Sequence, residues 1–243
     1  MARLIRRWIP WLIVVAVVAA AYLYGRDYVK AHPQDVPWTP IALDDPIGRF
    51  SRAKLVALGD DPAQCRALLR AVDAADLAAP PLNAPPSCGY DDGIRLGAAP
   101  GDAEFAPPGL VTRCPVAAAL LVWERQIVQP AAERHFHSQV HRVDHGGSYS
   151  CRRIYGRREG AFSEHARANA VDITGFRLSD GRRVSVLEDW RSSAPEGAFL
   201  REVRDGACRL FATSLSPDYN AAHADHLHLD QASRGQSGWG VCR

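Results

Sequence analysis

The longest apolar stretch in the chain lies near its N-terminus, where 18 uncharged residues separate Arg7 from Arg26. A helix needs about 20 apolar residues, with a range of about 17–25, to cross the hydrocarbon core of a bilayer. The stretch therefore predicts a transmembrane anchor over residues 8–25. Three arginines precede it, which predicts a cytoplasmic tail at 1–7 and export of the remainder. The expected location is the inner (plasma) membrane, crossed once.

A cleaved signal peptide is the alternative, because Ala19-Ala20-Ala21 could be cut. The apolar run continues through Tyr22-Leu23-Tyr24 with no polar cleavage region, which favours a retained anchor. Four prolines and little periodicity follow at 31–52, which is typical of an extended linker. We expect a periplasmic tether over 26–59 and one folded domain over 60–243.

Within that domain, helical periodicity and strand-like alternation occur in mixed order, with no internal repeat and no regular βαβ unit. The class is therefore α+β, with a small, mostly antiparallel sheet flanked by helices. The predicted helices are Asp60–Leu77, Pro115–Val128, Ala131–Val140 and Ala198–Ala207. The predicted strands are Ser148–Tyr155, Ala170–Leu178, Arg182–Val186, Arg209–Phe211 and His226–Asp230, with further short strands between turns at 89–112. Pro130 is expected to stop the second helix, and Thr112 is a candidate cap for it.

The charge of the chain argues against one class of function, the binding of nucleic acid. The chain carries a formal net charge of +2. Beyond the first 30 residues, 24 Lys and Arg face 26 Asp and Glu. No basic field of the kind that binds nucleic acid is present.

The six cysteines all follow the apolar stretch and are widely spaced: Cys65, Cys88, Cys114, Cys151, Cys208 and Cys242. No Cys-x-x-Cys pair exists, so a thiolate metal cluster is not indicated. An even number in an exported domain predicts three disulfides rather than free buried thiols. Of the roughly 15 possible pairings, we expect Cys65–Cys88, Cys114–Cys242 and Cys151–Cys208.

The candidate chemistry lies in two segments, Ser163–Asp172 and His223–His228. His, Asp and His without a thiolate, leaving a fourth position for water, is the ligand pattern of a catalytic zinc site. His226 and His228 are two apart, so a strand presents both on one face. On a helix His165 and Asp172 would sit about 10.5 Å apart along the axis. A turn through residues 166–169 followed by a strand would bring them together more easily.

Four motifs make the comparison with known families specific: Gly-Ser-Tyr-Ser-Cys-Arg at 147–152, Ser-Glu-His-Ala at 163–166, Asp-Ile-Thr-Gly-Phe at 172–176 and Asp-His-Leu-His-Leu-Asp at 225–230. The chain resembles the group that unites D-alanyl-D-alanine carboxypeptidases, lysostaphin-type endopeptidases and Hedgehog signalling domains. Within that group it is most similar to the bacterial extensin-like C-terminal domain family, over about residues 60–243. His223-x-x-His226-x-His228 also resembles penicillin-insensitive murein endopeptidases.

The resemblance implies roles for individual residues. His165, Asp172 and His228 would be zinc ligands, and His226 would orient or deprotonate water or stabilise the tetrahedral intermediate. His223 would be an accessory residue of the site. It occupies the position where carboxypeptidase relatives keep a general-base Glu, which favours an endopeptidase-like arrangement or a weakened enzyme. The pattern departs at Ala168, where Gly is usual, and a left-handed turn there would be strained.

Two further residues have competing interpretations. Arg152 would hold a substrate carboxylate or the oxyanion, or would form a salt bridge with Glu159 or Asp225. Ser163 would bind substrate or cap the turn that follows it.

A second set of histidines carries no comparable motif: His135, His137, His141 and His145. His137 and His141 have helical spacing for a metal, but no carboxylate pattern accompanies them, which favours a solvated face. No Gly-x-Ser-x-Gly elbow of a serine hydrolase occurs in the chain.

The sequence therefore predicts a membrane-anchored periplasmic zinc metallopeptidase that hydrolyses peptide bonds in peptidoglycan stems or cross-links. The alternative is a non-catalytic module that binds cell wall or protein and contains a structural zinc site. Expected partners are peptidoglycan or another peptide and the membrane.

Overall fold

A computed structural model of the chain describes residues 2–72, 77–84, 87–96, 101–234 and 240–243. Parts of two expectations lie outside these residues. They are positions 73–76 of the helix predicted to end at Leu77, and positions 97–100 of the turn-rich segment. The side chains of residues 2–7 and of Leu77 are likewise outside the description.

Helices and strands follow one another without a regular βαβ unit, which is typical of an α+β fold. The helices are α1 (Ala2–Ala31), α2 (Ser51–Ala57), α3 (Pro62–Ala71), α4 (Cys114–Trp123), α5 (Gln129–Phe136), α6 (Val186–Asp189) and α7 (Pro195–Ala207). The strands are β1 (Leu77–Ala78), β2 (Leu82–Ala84), β3 (Cys88–Tyr90), β4 (Gly93–Arg95), β5 (Glu104–Ala106), β6 (Val111–Arg113), β7 (Val140–Gly147), β8 (Ala170–Leu178), β9 (Arg183–Ser185), β10 (Thr213–Leu215), β11 (Leu227–Asp230) and β12 (Val241–Cys242). Short 3-10 turns lie at Pro33–Asp35, Leu58–Asp60, Ile154–Gly156, Glu164–Arg167 and Ala221–His223.

The main sheet has the strand order β12-β10-β11-β8-β7-β5, with β9 on the far part of β8. The pairs β5–β7 and β10–β12 are parallel and the others antiparallel. In the centre, His228 of β11 lies directly opposite Asp172 of β8. This register matters because the two residues stand on the same face of the sheet.

The opposite face of these two strands is the core. Val171, Ile173, Leu227 and Leu229 are fully buried, in alternation with the polar residues between them. Every residue of α4 is also buried, which is the expected fate of a helix that is apolar on all sides.

The helix predicted over Pro115–Val128 does not stop at Pro130. The chain passes from α4 through a π-helical turn, Glu124–Val128, into α5, and Pro130 lies in the first turn of α5. Inside such a continuous helical stretch a proline removes one backbone hydrogen bond, and the irregular π-helical turn lies directly before it. Thr112 is not the cap, since Arg113 precedes α4 and offers no capping side chain.

Of the predicted strands, one is confirmed in full and two are wrong. The strand over Ala170–Leu178 is confirmed residue for residue. In the first predicted helix, Asp61 caps α3, since its side chain accepts from the Gln64 N–H at 2.9 Å. The strand predicted at Ser148–Tyr155 is wrong. That segment is a loop with one 3-10 turn and a single bridge to Phe162. The strand predicted at Arg209–Phe211 is also wrong, because the chain turns there before β10 begins.

The proline-rich segment expected to be an extended tether is packed onto the domain instead. Val36 and Leu43 are buried, and the amide of Gln126 donates to the carbonyl of Asp45 at 2.9 Å. Residues 51–57 form α2, whose Leu55 is fully buried. The prolines therefore shape a surface layer of the body rather than a free linker.

Among the described residues, one helix is long and apolar enough to cross a membrane. It is the part of α1 from Trp8 to Ala31, and it contacts nothing that would bury its apolar side chains. This matches the apolar stretch found in the sequence, although the helix runs beyond residue 25.

All six cysteines are disulfide-bonded, so the prediction of three bridges is confirmed. The predicted pairing is wrong: the bonds are Cys65–Cys114, Cys88–Cys151 and Cys208–Cys242. The pairing follows tertiary contacts that the sequence does not show. Helix α3 packs on α4, β3 lies against the turn at Glu164–Arg167, and β12 joins the sheet beside β10, close to the end of α7.

Candidate metal centre

Three side chains converge on the polar face of β8 and β11. The Nε2 atom of His165 lies 3.0 Å from Nδ1 of His228 and 3.2 Å from Oδ1 of Asp172. Nδ1 of His228 lies 3.0 Å from the same oxygen. The side chains are largely shielded from solvent, with 4% of His165, 17% of Asp172 and 12% of His228 exposed.

The outer nitrogen of each histidine has its own hydrogen-bond acceptor. Nδ1 of His165 lies 2.6 Å from the carbonyl oxygen of Ser148, and Nε2 of His228 lies 3.1 Å from Oδ2 of Asp230. A carbonyl and a carboxylate can only accept, so these nitrogens carry the protons of the neutral rings. The inner nitrogens then present lone pairs to Asp172. Outer partners of this kind are typical of histidines that bind metals.

Burial disfavours the charge of Asp172, but hydrogen bonds from His165 and His228 outweigh this and hold the pKa of Asp172 far below its usual range. Burial also opposes protonation of His228. Its contacts with Asp172 and Asp230 prevail and raise the pKa of His228 to about 9 in the metal-free protein. Both shifts have one cause, which is the attraction between carboxylates and the imidazole rings beside them.

The donor set fits a zinc ion. Bonds of about 2.0–2.1 Å in a tetrahedron separate neighbouring ligand atoms by about 3.3 Å. The three inner atoms form a triangle with sides of 3.0, 3.2 and 3.0 Å. Two imidazole nitrogens and one carboxylate oxygen are ligands that zinc accepts, and three protein ligands leave one position for another molecule.

A tight turn delivers His165 to the two strands. Ser163 begins the turn, with its hydroxyl 3.4 Å from the His165 N–H as acceptor. Ala168 ends it in the left-handed conformation, with φ 52° and ψ 25°, and its N–H donates to the His165 carbonyl at 3.1 Å. This conformation costs a non-glycine residue about 1–2 kcal/mol.

The sequence matches the family model described as extensin-like protein C-terminus over residues 63–243. The chain belongs to this family. No curated protein matches the chain, and no solved structure does. The family assignment therefore rests on the sequence model, and the chemistry of this extensin-like domain has to be argued from its own residues.

His226 stands beside the three ligand candidates and is held by a carboxylate. Its Nδ1 lies 2.7 Å from Oδ1 of Asp225, and its Nε2 lies 3.5 Å from Oδ1 of Asp172. The Asp225 contact orients the ring. The extensin-like domain thus places a carboxylate-backed imidazole beside the three converging side chains.

His223 is fixed on the other side by Asn220. The Asn220 Oδ1 atom lies 2.8 Å from Nδ1 of His223, and the Asn220 amide donates to the hydroxyl of Tyr155 at 3.0 Å. Burial, together with the nearby charges of His226 and His228, lowers the pKa of His223 to about 4. His223 is therefore a neutral imidazole at physiological pH, with Nε2 as its unprotonated nitrogen.

Arg152 and Ser163 lie on the same loop system, at the edge of the centre. Arg152 is exposed, and its positive charge contributes to the lowered pKa of His223. Within the part of the chain that is described, no carboxylate lies at ion-pair distance from Arg152. The alternative of a salt bridge with Glu159 or Asp225 is thus not observed. Ser163 caps the turn, as one of its two interpretations stated.

Sequence reasoning missed three supports of the centre: the Ser148 carbonyl, Asp230 and Asn220. A signal for Asp230 was available, because His226, His228 and Asp230 share one period-two face. A sequence does not show which backbone carbonyl will accept a hydrogen bond from a histidine. The hydrogen bond from Asn220 to Tyr155 joins two loops that are distant in sequence, so no local pattern predicts it.

The second set of histidines does not converge on a common point. His135 pairs with Glu202 at 2.7 Å, while His145 contacts the Pro107 carbonyl at 2.9 Å. His137 is a left-handed C-cap of α5, and His141 is an exposed residue of β7. The predicted solvated face is confirmed for His137 and His141, whereas His145 is buried, so the prediction is wrong for that residue.

Proposed function

We propose that this protein is a membrane-anchored zinc metallopeptidase that hydrolyses peptide bonds in peptidoglycan. The observation that carries the proposal is the convergence of three possible ligand atoms, from His165, His228 and Asp172, within 3.2 Å of one another. Such an arrangement requires a proton or a metal ion between the atoms.

The roles of the residues follow from their positions. His165, Asp172 and His228 would hold the zinc. Zinc bound there would supply Lewis acidity and lower the pKa of a water toward neutrality. Ser148 and Asp230 keep the two imidazoles in the ligating tautomer through the contacts of 2.6 and 3.1 Å.

Proton transfer falls to the two other histidines. The neutral His223 ring is suited to accept a proton from the attacking water at Nε2, since Asn220 occupies its Nδ1. The His226 ring, backed by Asp225, is suited to give a proton to the leaving nitrogen or to stabilise the developing oxyanion. The exposed guanidinium of Arg152 would hold a carboxylate of the substrate.

The location follows from the charge pattern rather than from the fold. Arginines before α1 favour a cytoplasmic N-terminus and a periplasmic body. Peptidoglycan lies in that compartment, and six cysteines in disulfides suit its oxidising conditions. The assignment of substrate thus combines a hydrolytic centre with the compartment in which the body would stand.

The decisive experiment is digestion of purified peptidoglycan by the zinc-loaded full-length protein, with the muropeptides read by mass. His226→Ala, which leaves the three ligands in place, should abolish product, whereas His141→Ala on the exposed edge of β7 should not. Retained zinc and full product release with His226→Ala would contradict the assigned role. Absence of any product from the zinc-loaded wild type would contradict hydrolysis of this substrate.

A second candidate function is a non-catalytic cell-wall or protein-binding module with a structural zinc. The burial of His165, of whose side chain 4% is exposed, favours it, because this burial restricts access to the centre. This candidate predicts zinc in the wild type and binding to peptidoglycan in a pull-down, with no change in muropeptide masses.

A further inference from the structure

The junction between α1 and the body is clamped by a buried lysine. Only 9% of Lys54 is exposed. Its ammonium donates to the Pro33 carbonyl and to the Thr39 hydroxyl, both at 2.7 Å. Thr39 itself donates to the Pro33 carbonyl at 2.6 Å. The chain that leaves α1 at Ala31 is therefore fixed to α2 almost at once.

The same junction fixes an arginine close to the end of α1. The Arg49 N–H donates to Oδ1 of Asp35 at 2.7 Å, and the Phe50 N–H donates to the Gln34 carbonyl at 3.0 Å. Gly48 permits this approach, since a Cβ there would lie 2.9 Å from the Gln34 carbonyl carbon. Arg49 thus stands beside a residue only four positions beyond Ala31.

A cavity opens at this place, and arginines dominate its lining. Its charged residues are Asp35, Arg49, Arg52 and Arg209, with Ile47 and Gly48 between them. The guanidinium of Arg209 donates to the Ile47 carbonyl at 2.8 Å, and that of Arg52 donates to the Cys208 carbonyl at 2.9 Å. Backbone oxygens thus anchor both guanidiniums beside the Arg49 side chain.

The length of α1 sets the height of this cavity above a bilayer. Residues 8–25 span about 27 Å as a helix, close to the hydrocarbon thickness of about 30 Å. Residues 26–31 add about 9 Å, which brings the end of α1 into the headgroup layer, where the lipid phosphates lie. Trp38, with 78% of its surface exposed, lies in the same segment and suits the membrane interface.

We propose that this cavity binds the phosphate of an anionic phospholipid in the leaflet at which α1 ends. Arg49 and Arg209 would share the phosphate, for which the guanidinium fork is well shaped. The inference rests on the membrane-spanning role of α1 in the proposed function, and not on hydrolysis. The choice of a lipid rather than a free phosphate follows from the position of the cavity, whose lining residue Asp35 lies four positions beyond the end of α1.

Native mass spectrometry of the full-length protein in detergent tests this directly. Added phosphatidylglycerol should be retained about tenfold better than phosphatidylcholine, and the Arg49→Glu/Arg209→Glu variant should lose this preference. Arg183→Glu, on the exposed side of β9, is the matched control and should keep it. Arg49→Gln tests the cavity without a charge reversal and should weaken retention, because the Asp35 contact uses only the Arg49 backbone.

The outcomes separate this site from the catalytic proposal. Equal phosphatidylglycerol retention by wild type and the double variant would overturn the lipid site. So would displacement of the lipid by millimolar inorganic phosphate, which would indicate a free-phosphate site. Peptidoglycan digestion by the same variants should be unchanged. If the wild type retains the lipid but does not hydrolyse peptidoglycan, only the peptidase proposal is contradicted.

Discussion

The Nε2 atom of His165 lies 3.0 Å from the Nδ1 atom of His228, although the other nitrogen of each ring already has an acceptor. Two facing lone pairs beside a carboxylate repel one another unless a cation lies between them. In the metal-free protein a proton fills this role, and the pKa of His228 rises to about 9. A metal would compete with that proton, since ligating imidazoles must be neutral.

Removal of any one ligand should abolish stoichiometric zinc binding. His165→Ala, Asp172→Ala and His228→Ala each leave two of three protein ligands, whereas His226→Ala leaves all three. We expect about one zinc per chain in wild type and in His226→Ala, and little in the other three, by elemental analysis after dialysis. His141→Ala is the control, and equal metal in all variants would refute the site.

Asp230→Asn should weaken zinc binding without removing a ligand. The Asp230 carboxylate accepts from His228 at 3.1 Å, and a neutral amide would make the ring a poorer donor to the metal. Loss of an outer partner of this type lowers metal affinity by about 10–100-fold. Competition with a fluorescent chelator measures this. An unchanged affinity would show that Asp230 serves only as the cap of Ala232, whose N–H donates to its other oxygen at 3.0 Å.

How much of this centre the sequence could reveal depends on the range of each contact. Asp172, His226 and His228 follow from alternation along single strands, and the buried Val171 and Leu227 confirm which faces they occupy. The register that sets His228 opposite Asp172 is a pairing between distant segments, and no local pattern encodes it.

The errors have the same origin. Prolines at 31–52 signal local extension, but burial of Val36 and Leu43 is decided by the surface of the body. The Cys208–Cys242 bond depends on a parallel strand, β12, added at the sheet edge. The left-handed turn at Ala168, by contrast, was detectable, because the departure from Gly occurs where the backbone requires positive φ.

Ala168→Gly should leave the fold intact and stabilise it slightly. The left-handed conformation costs alanine about 1–2 kcal/mol, while glycine loses about 0.5–1 kcal/mol more backbone entropy on folding. The balance predicts a gain of about 0–1.5 kcal/mol in the free energy of unfolding. Ala170→Gly, two residues later in β8, has no positive φ to relieve and should destabilise. Chemical denaturation of both variants makes the comparison, and destabilisation of equal size would contradict it.

Glu124→Gln should make stability less dependent on pH. Only 1% of Glu124 is exposed, and burial raises the pKa of its carboxyl, against hydrogen bonds from Gln129 and Ala103. A raised folded-state pKa means that ionisation penalises the fold. The penalty is absent below about pH 4 and is complete once the pH exceeds the folded-state pKa. Glutamine keeps an acceptor for both donors and avoids the charge.

The melting temperature of wild type should therefore fall, relative to Glu124→Gln, as the pH rises from 4 toward 7. Glu133→Gln on the exposed side of α5 is the control and should follow wild type. Parallel pH profiles for Glu124→Gln and wild type would show that Glu124 is not desolvated.

The last prediction separates two disulfides that close loops of similar length. Cys65–Cys114 spans 49 residues and Cys88–Cys151 spans 63, so the entropy that each removes from the unfolded chain is nearly equal. Their surroundings differ, since Cys65 and Cys114 are fully buried between α3 and α4. Cys151 instead lies three residues after Ser148, whose carbonyl contacts Nδ1 of His165.

Replacing Cys65 and Cys114 by Ala should therefore cost more stability, because it adds a packing defect in the core to the lost cross-link of about 2–4 kcal/mol. Replacing Cys88 and Cys151 by Ala should cost less stability but more zinc affinity, because the Ser148 carbonyl would no longer be held against His165. Unfolding titrations should show the larger loss of stability in the Cys65/Cys114 variant, and zinc competition should show the larger loss of affinity in the Cys88/Cys151 variant. If affinity instead falls in proportion to stability in both variants, the Cys88–Cys151 bond has no particular role at the metal centre.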